Sequence, residues 1–429
     1  MKQKSKYSIL IGLREVAGYC DNLKKGFDKI GVEAHFLDLG GNAAYNPSKN
    51  PAWINLFNAV GNKLGVHFSH SFFLRFIWMV FFQTFFSVPA FIIALCRYNV
   101  FIFCANSSFF YYLELPVLKM FRKKIIYVFL GSDSRPLYIS GGIISDVGKI
   151  KYYALLTWLQ KRVVTIIEYF ADACVNHPPQ SYFHEKKVIS LLCMGLPVNI
   201  AGSDARKIQQ NETNSINILH APSKSSVKGS SIFRNIIEKL KAKGYNINYT
   251  EVTGVSNAKV LQLIQESDFV LDELYSDSPM AVFATEAAFF GKPAVIGSYY
   301  VTKVLGDVPE KFIPPSCFVL PENIESAIEK MIIDKEYRTK LGEKAKAFID
   351  ENWLAEHVAE NYLKILDGNI PSTWYYDPAA LSYLHGAGLP QERAKQNIRL
   401  FIEKSGIKSL CLSDKPALEK AMREFAYAP

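Results

Sequence analysis

The chain has 429 residues and only seven cysteines, and no C-x-x-C pair is among them. No His/Cys/Asp cluster has metal-ligand spacing, so neither a zinc site nor a disulfide framework is expected. Cys104 and Cys174 lie in apolar runs, which suits reduced thiols used as small hydrophobes in a cytoplasmic protein. No D-x-D triplet occurs, so no metal is expected to bridge a diphosphate. The G-x-G-x-x-G turn, the Walker A lysine and the G-x-S-x-G elbow are also missing, and no cofactor is expected. Acid is scarce in the first half. Residues 1–199 hold 22 Lys and Arg against 11 Asp and Glu, a net +11, while the remainder holds 27 against 29. Such a basic half suits anionic partners, namely phospholipid head groups or lipid pyrophosphates. There is no Arg-rich arm and no basic–aromatic interleaving, so nucleic acid is not an expected partner.

Hydrophobic residues make up 49% of the chain, enough for globular cores. The length favours two domains plus an appendage. Tyr7–Leu13 reads as a buried strand, followed by a loop through Gly18, a helix ended by Gly31 and a second strand at Glu33–Leu39. Its basic flank and short apolar run lead straight into this unit, so it is not read as a signal peptide. Further strands are expected at Val100–Cys104, Ile125–Leu130, Ala173–Asn176 and Val188–Leu192, with a helix at Tyr152–Phe170. The stretch Phe72–Cys96 is long and apolar enough to cross a bilayer, yet it sits between strand-bearing units. Three readings stay open for it: an interfacial helix, a wholly buried core helix, or a span, with the first preferred. Boundaries follow from composition: a first domain over 1–199, a polar linker over 200–214, a second domain over 215–370, and a separate helical extension over 371–429. The extension carries no recognisable chemistry. It is expected to be dispensable for donor binding and is a candidate surface for homo-oligomers.

The chemistry concentrates in 216–297. The order is strand, loop with Lys228, helix, strand, helix, strand, polar loop, a helix bearing Glu286, then Gly-Lys-Pro and a strand. That order builds a parallel nucleotide-binding sheet, with ligands at the strand carboxyl ends. Lys228 stands before a helix N-terminus, where it can neutralise a diphosphate or simply be solvated. Glu286 has apolar neighbours and needs partners, either hydroxyls or a core cation. The loop Tyr275–Ala281, including Asp277, Ser278, Met280 and Ala281, ends at a helix N-terminus that can donate backbone N–H groups. In the first half, Asp133 and Arg135 follow a strand in the run GSDSR. They read either as a base and a substrate contact or as a turn and a structural Arg. His177 ends a strand ahead of two prolines and is read as lining the cleft or as structural.

The runs ILHAPSKSSVKGSS (218–231), SDFVLDELYSDSPMAVFATEAAFFGKPAVIG (267–297) and GSDSR (131–135) resemble the large GT-B glycosyltransferase family with an E-x7-E motif, glycosyltransferase family 4-like. The resemblance extends, more weakly, over roughly residues 6–369. It implies an α/β fold of two Rossmann-like parallel-sheet domains facing a cleft, with a helix near 356–366 returning across it. It implies retaining sugar transfer from a nucleotide-diphosphate sugar to a lipid-linked or polysaccharide acceptor. The setting would be O-antigen, capsule or lipopolysaccharide synthesis at the inner face of the membrane. In that pattern Lys228 and Glu286 hold the donor's diphosphate and ribose, and Asp133 faces the acceptor or donor sugar. Gly18, Arg135, His177, Ser223, Lys224, Asp277, Ser278, Met280 and Ala281 fall at substrate-contact positions. Ser223 replaces the family's Arg, Ser278 its first Glu, Ala281 a Gly and Leu130 a His. Lys224 and Asp277 are the nearby candidates to substitute. A GT-B-fold sugar-nucleotide epimerase and a non-catalytic scaffold are the rival expectations.

Overall fold

A computed structural model describes residues 6–39, 87–200 and 215–428. The expected linker is therefore almost wholly outside the described residues, as are residues 72–86 of the apolar stretch.

The apolar runs assemble into two parallel sheets. The first takes β1 (Ser8–Leu13), β2 (Glu33–Asp38), β3 (Val100–Cys104), β4 (Lys124–Val128), β5 (Ala173–Asn176) and β6 (Val188–Ser190). The second takes β7 (Ile216–His220), β8 (Ile247–Glu251), β9 (Phe269–Leu271), β10 (Ala294–Gly297) and β11 (Cys317–Val319), in the order β11-β10-β9-β7-β8. Every residue of β3, VFIFC, is buried. A parallel strand covered on both faces has no need to alternate polar and apolar residues.

The first sheet runs β6-β5-β4-β3-β1-β2, so its order reverses between β1 and β3. Right-handed crossovers then place helix α1 (Tyr19–Lys29) on one face. The opposite face receives α2 (the described helical residues 87–97), α3 (Glu114–Met120) and α4 (Ile150–Phe170). In the second unit, α5 (Ser230–Ala242) buries Phe233, Ile236, Ile237 and Leu240 against the sheet, each worth roughly 2 kcal/mol. Helices α6 (Asn257–Glu266), α7 (Val282–Phe289), α8 (Ile324–Ile333) and α9 (Lys335–Phe348) complete it. Helix α10 (Ala355–Asp367) returns to the first unit and lies along α1. Tyr362 and Tyr19 share a hydroxyl hydrogen bond of 2.7 Å there. Gly26 makes this approach possible, because a Cβ at that position would sit 2.0 Å from the Ala355 carbonyl oxygen.

Residues 371–429 are not the separate extension that composition suggested. Strand β12 (Tyr375–Tyr376) pairs antiparallel with β6 and becomes the seventh strand of the first sheet. Helix α11 (Gln391–Ser405) packs on α4 and on α12 (Pro416–Tyr427). Trp374 and Tyr376 are buried in this chain's own body, and Tyr375 is exposed. The aromatic run 374–376 is mostly core, because an edge strand needs a partner and β6 had none on that side.

Candidate functional site

Strand ends β7 and β9 bring three charged groups together. Gly229 in the left-handed region separates a short helical turn, Ser225–Lys228, from α5, and this turn points Lys228 at the end of β9. Its ammonium donates to the Glu273 carboxylate at 2.9 Å and to Asp272 at 3.4 Å. Burial disfavours the lysine's charge, but Asp272 and Glu273 outweigh it and raise its pKa. Burial raises the Glu273 carboxyl while Lys228 pulls it down. One Asp272 oxygen is buried with no partner among the described residues. Lys228 is thus not the free cation of the sequence reading. Ser223 and Lys224 are exposed at the start of the same loop. Beneath them His220 bridges the Leu271 carbonyl at 2.7 Å and the Ser230 hydroxyl at 2.8 Å, which ties β7, β9 and the start of α5 into one frame.

Glu286 lies one turn into α7 and accepts from the Asn257 side-chain amide at 2.8 Å. Among the described residues no cation pairs with it. Burial pushes its carboxyl up to about 7, with Asp272 adding to the rise and the Asn257 bond opposing it. It lines a cavity of about 390 Å³ between the two units, opposite Gly18, Tyr19, Asn22 and the segment 196–200. Gly18 caps α1 in the left-handed conformation, with φ 81°. Glu15 anchors the same turn, accepting from the backbone N–H groups of Val16, Cys20 and Asp21. The structure therefore places Glu286 and Gly18 across one opening. Lys228 does not line that cavity.

The remaining candidates meet at a second, closed junction. Arg135 donates to Asp277 across the unit boundary, and Gln180 donates to the same carboxylate at 3.1 Å. The Arg135 Nε also donates to Ser140 at 3.1 Å. Asp277 is therefore committed to the first unit and is not a spare carboxylate aimed at a sugar, which corrects the substitution expected for Ser278. Asp133 accepts from the Leu130 N–H at 3.0 Å, and burial raises its carboxyl. Ser278 is used within its own loop, bonding the Met280 carbonyl at 3.1 Å. Met280 is wholly buried, whereas Ala281, the cap of α7, remains partly accessible. His177 is buried against Tyr300 with neither ring nitrogen partnered among the described residues, and burial lowers its pKa to about 4, so the ring is neutral.

The C-terminal segment closes this junction. His385 stacks on Tyr299 at 4.3 Å, and the Gly388 N–H donates to Tyr275 at 2.8 Å. The Tyr182 hydroxyl donates to the Tyr383 carbonyl at 2.6 Å. A Cβ on Gly388 would meet the Val227 side chain at 2.4 Å, and φ is +74° there, so glycine is required beside the lysine turn. Sequence reasoning missed Glu273, His220, Asn257 and this segment. Polar residues closing the apolar strands at 220 and 272–273 were a readable signal. Nothing local marked Asn257 or residues 383–388. Among the described residues, no group of His, Cys, Asp and Glu is arranged to hold a metal ion.

No protein-family description matches the chain, and no curated protein matches it. Solved structures give remote likenesses. Anabaena HepE in complex with UDP-glucose is 13% identical, with a TM-score of 0.48, over 84% of this chain and 100% of that one. An alpha-glucosyltransferase in complex with UDP and a 13-mer DNA is 11% identical, with a TM-score of 0.48, over 84% of this chain and 99% of that one. TarM of S. aureus, in complex with Fondaparinux, alpha-GlcNAc-glycerol and UDP, is 11% identical, with a TM-score of 0.41, over 62% of this chain and 55% of that one. At such distance the functional reading rests on the site itself.

Proposed function

We propose that this protein is a glycosyltransferase. It would take a nucleotide-diphosphate sugar as donor and a lipid-linked or polysaccharide glycan as acceptor, in bacterial surface-glycan synthesis at the inner face of the membrane. The observation that carries the reading is Glu286, a carboxylate without a cation partner among the described residues, facing an inter-unit cavity at the carboxyl end of a parallel sheet. Such a group suits a pair of ribose hydroxyls, which donate to a carboxylate from one side. The barrier to be lowered is departure of the anionic diphosphate, and an ammonium at the strand end stabilises that charge. Lys228 would do this by exchanging Glu273 for phosphate oxygens. Retention of configuration follows from the family resemblance and is part of the proposal.

Calorimetric titration with UDP, GDP and other nucleoside diphosphates tests the reading. Wild type should bind one of them, and Glu286→Ala and Lys228→Ala should each weaken it by about tenfold or more, the loss of one charge-assisted bond. Unchanged affinity in both variants would remove the donor site from this sheet.

A second reading has its own observation. The pairing of Lys228 with two carboxylates and of Arg135 with Asp277 also suits a scaffold that binds nucleotide without turning it over. Nucleotide release from a panel of sugar donors, with a membrane extract as acceptor, separates the two.

A further inference from the structure

The outer face of the first unit carries a surface that the sugar chemistry does not use. Helices α2, α3 and α4 lie side by side on one side of the sheet, and each exposes large apolar residues outward. On α2 these are Ile92 and Ile93, and around the end of α3 they are Met120 and Phe121. On α4, Leu155, Trp158 and Leu159 are 54%, 45% and 43% exposed, and the stripe continues to Tyr169, roughly 21 Å along the helix. The opposite side of α4 is already spent on the core through Tyr153, Ala154, Thr157, Val164 and Ile167. Leu155, Trp158 and Leu159 therefore stay outside the core, while Tyr169 meets the Phe170 ring and the Lys186 ammonium.

Charge identifies the occupant. Between residues 87 and 170, Glu114, Asp133 and Glu168 are buried, and Asp146 is the one exposed acid. Arg122, Lys151 and Arg162 are exposed over the same span, while Lys149 pairs with Asp146 at 3.4 Å, Arg97 lies 3.9 Å from Glu33, and Lys124 donates to the Leu366 carbonyl of α10 on the other side of the sheet. Asp172, just beyond it, is paired with Lys119 at 2.6 Å. Arg162 stands over the Trp158 ring at 5.2 Å, a pairing suited to a head-group layer. An apolar face rimmed by charge of one sign fits an anionic lipid surface. It does not fit a second copy of itself, because two such faces repel. Among the described residues no helix is long and apolar enough to cross a membrane.

We propose that the outer layer of α2, α3 and α4 docks on an anionic phospholipid surface, with the α4 stripe as its main contact. This deepens the lipid-linked acceptor reading and rests on it for its purpose. In each βαβ unit the helix starts at the strand ends that form the cleft, so Tyr152 and Leu155 lie nearest the mouth. A lipid carrier lying in the bilayer would then present its head group to the cleft. Residues 87–96 of the apolar stretch belong to this face through Val88, Ile92 and Ile93. The α4 stripe, which lies outside that stretch, contributes more of it.

Flotation of the full chain with vesicles tests the proposal, using phosphatidylcholine alone or with about one-third phosphatidylglycerol. Wild type should float with the anionic vesicles and much less with the neutral ones, and high salt should release part of it. The variant Arg122→Glu/Lys151→Glu/Arg162→Glu should lose about a hundredfold in partitioning. The variant Leu155→Gln/Trp158→Gln/Leu159→Gln should lose at least about tenfold. Both sets are exposed, so both proteins should fold and keep wild-type nucleoside-diphosphate affinity. Undiminished flotation of both variants, or none by wild type, overturns the proposal. So does a wild-type dimer by light scattering that the Gln variant dissociates, or an acidic protein partner that replaces lipid on this face. Loss of nucleotide binding in wild type, with flotation intact, would instead sink the donor-site reading and leave the lipid face standing.

Discussion

At the scale of single residues, two titratable groups whose charged forms are disfavoured by burial oppose each other over one pH window. Glu286 holds its proton up to about 7 in the folded chain, against an ordinary value of 4.5. The folded state then binds more protons than the unfolded state, so this group's contribution to stability falls as pH rises from about 4.5 to 7. His177 is held down to about 4 against an ordinary 6.5. Here the unfolded state binds more protons, so its contribution is full above about 6.5 and is lost as pH falls toward 4. Urea unfolding of wild type should therefore vary little over that window. In Glu286→Gln, stability should rise with pH by up to about 3 kcal/mol, and in His177→Phe it should fall by a similar amount. Parallel profiles for all three proteins would mean that neither group is buried in solution. A third residue, Glu273, occupies the ammonium of Lys228. Glu273→Gln removes the competing charge, so nucleoside-diphosphate affinity should tighten by roughly tenfold in calorimetry, the worth of one charge-assisted bond.

At the scale of elements, the C-terminal segment behaves as part of the first unit. Removing residues 370–429 would strip β12 from β6 and leave the Tyr138 and Tyr182 hydroxyls without the Leu410 and Tyr383 carbonyls. A buried donor left unpaired costs about 1–3 kcal/mol, before the loss of the apolar contacts of α11 is counted. A chain ended at Asn369 is expected to aggregate or to unfold at clearly lower urea, rather than to bind nucleotide normally as its separate appearance in sequence suggested. The point variant Gly388→Ala tests the same contact more gently. It forces the left-handed conformation on an alanine and pushes against Val227, so it should cost about 1–3 kcal/mol and weaken nucleotide binding through the lysine turn. Wild-type affinity with reduced stability would show that the turn does not transmit the strain.

Across the whole molecule, the two units are joined by a buried ion pair and by the C-terminal segment, as well as by α10. Arg135 and Asp277 have side chains only 10% and 9% exposed, so removing either leaves the other charge stranded. Arg135→Met should cost about 3–5 kcal/mol, and Asp277→Leu likewise. The double variant should recover much of that loss, because a buried pair replaced by apolar groups is often near neutral. Additive losses in urea unfolding would show that the two side chains do not interact across the boundary in solution.

The α/β class and most strand positions were set locally. Runs such as VFIFC at 100–104 and the period of Phe233, Ile236, Ile237 and Leu240 encode burial by spacing alone. Lys228 and Glu286 stood out for the same reason, as polar groups at positions where a parallel sheet ends or a helix is otherwise apolar. What tertiary structure decided was partnership. Sequence gave Asp277 no sign of Arg135, which is 142 residues away, or Lys228 any sign of Glu273, 45 residues away. The aromatic run 374–376 carried no sign that it would complete the first sheet. Nor did the apolar residues of α4 reveal which would stay outside, since hydropathy marks an apolar residue but not the side of the helix that the sheet leaves uncovered. Charge pairing and edge-strand closure act between segments that only the folded chain brings together.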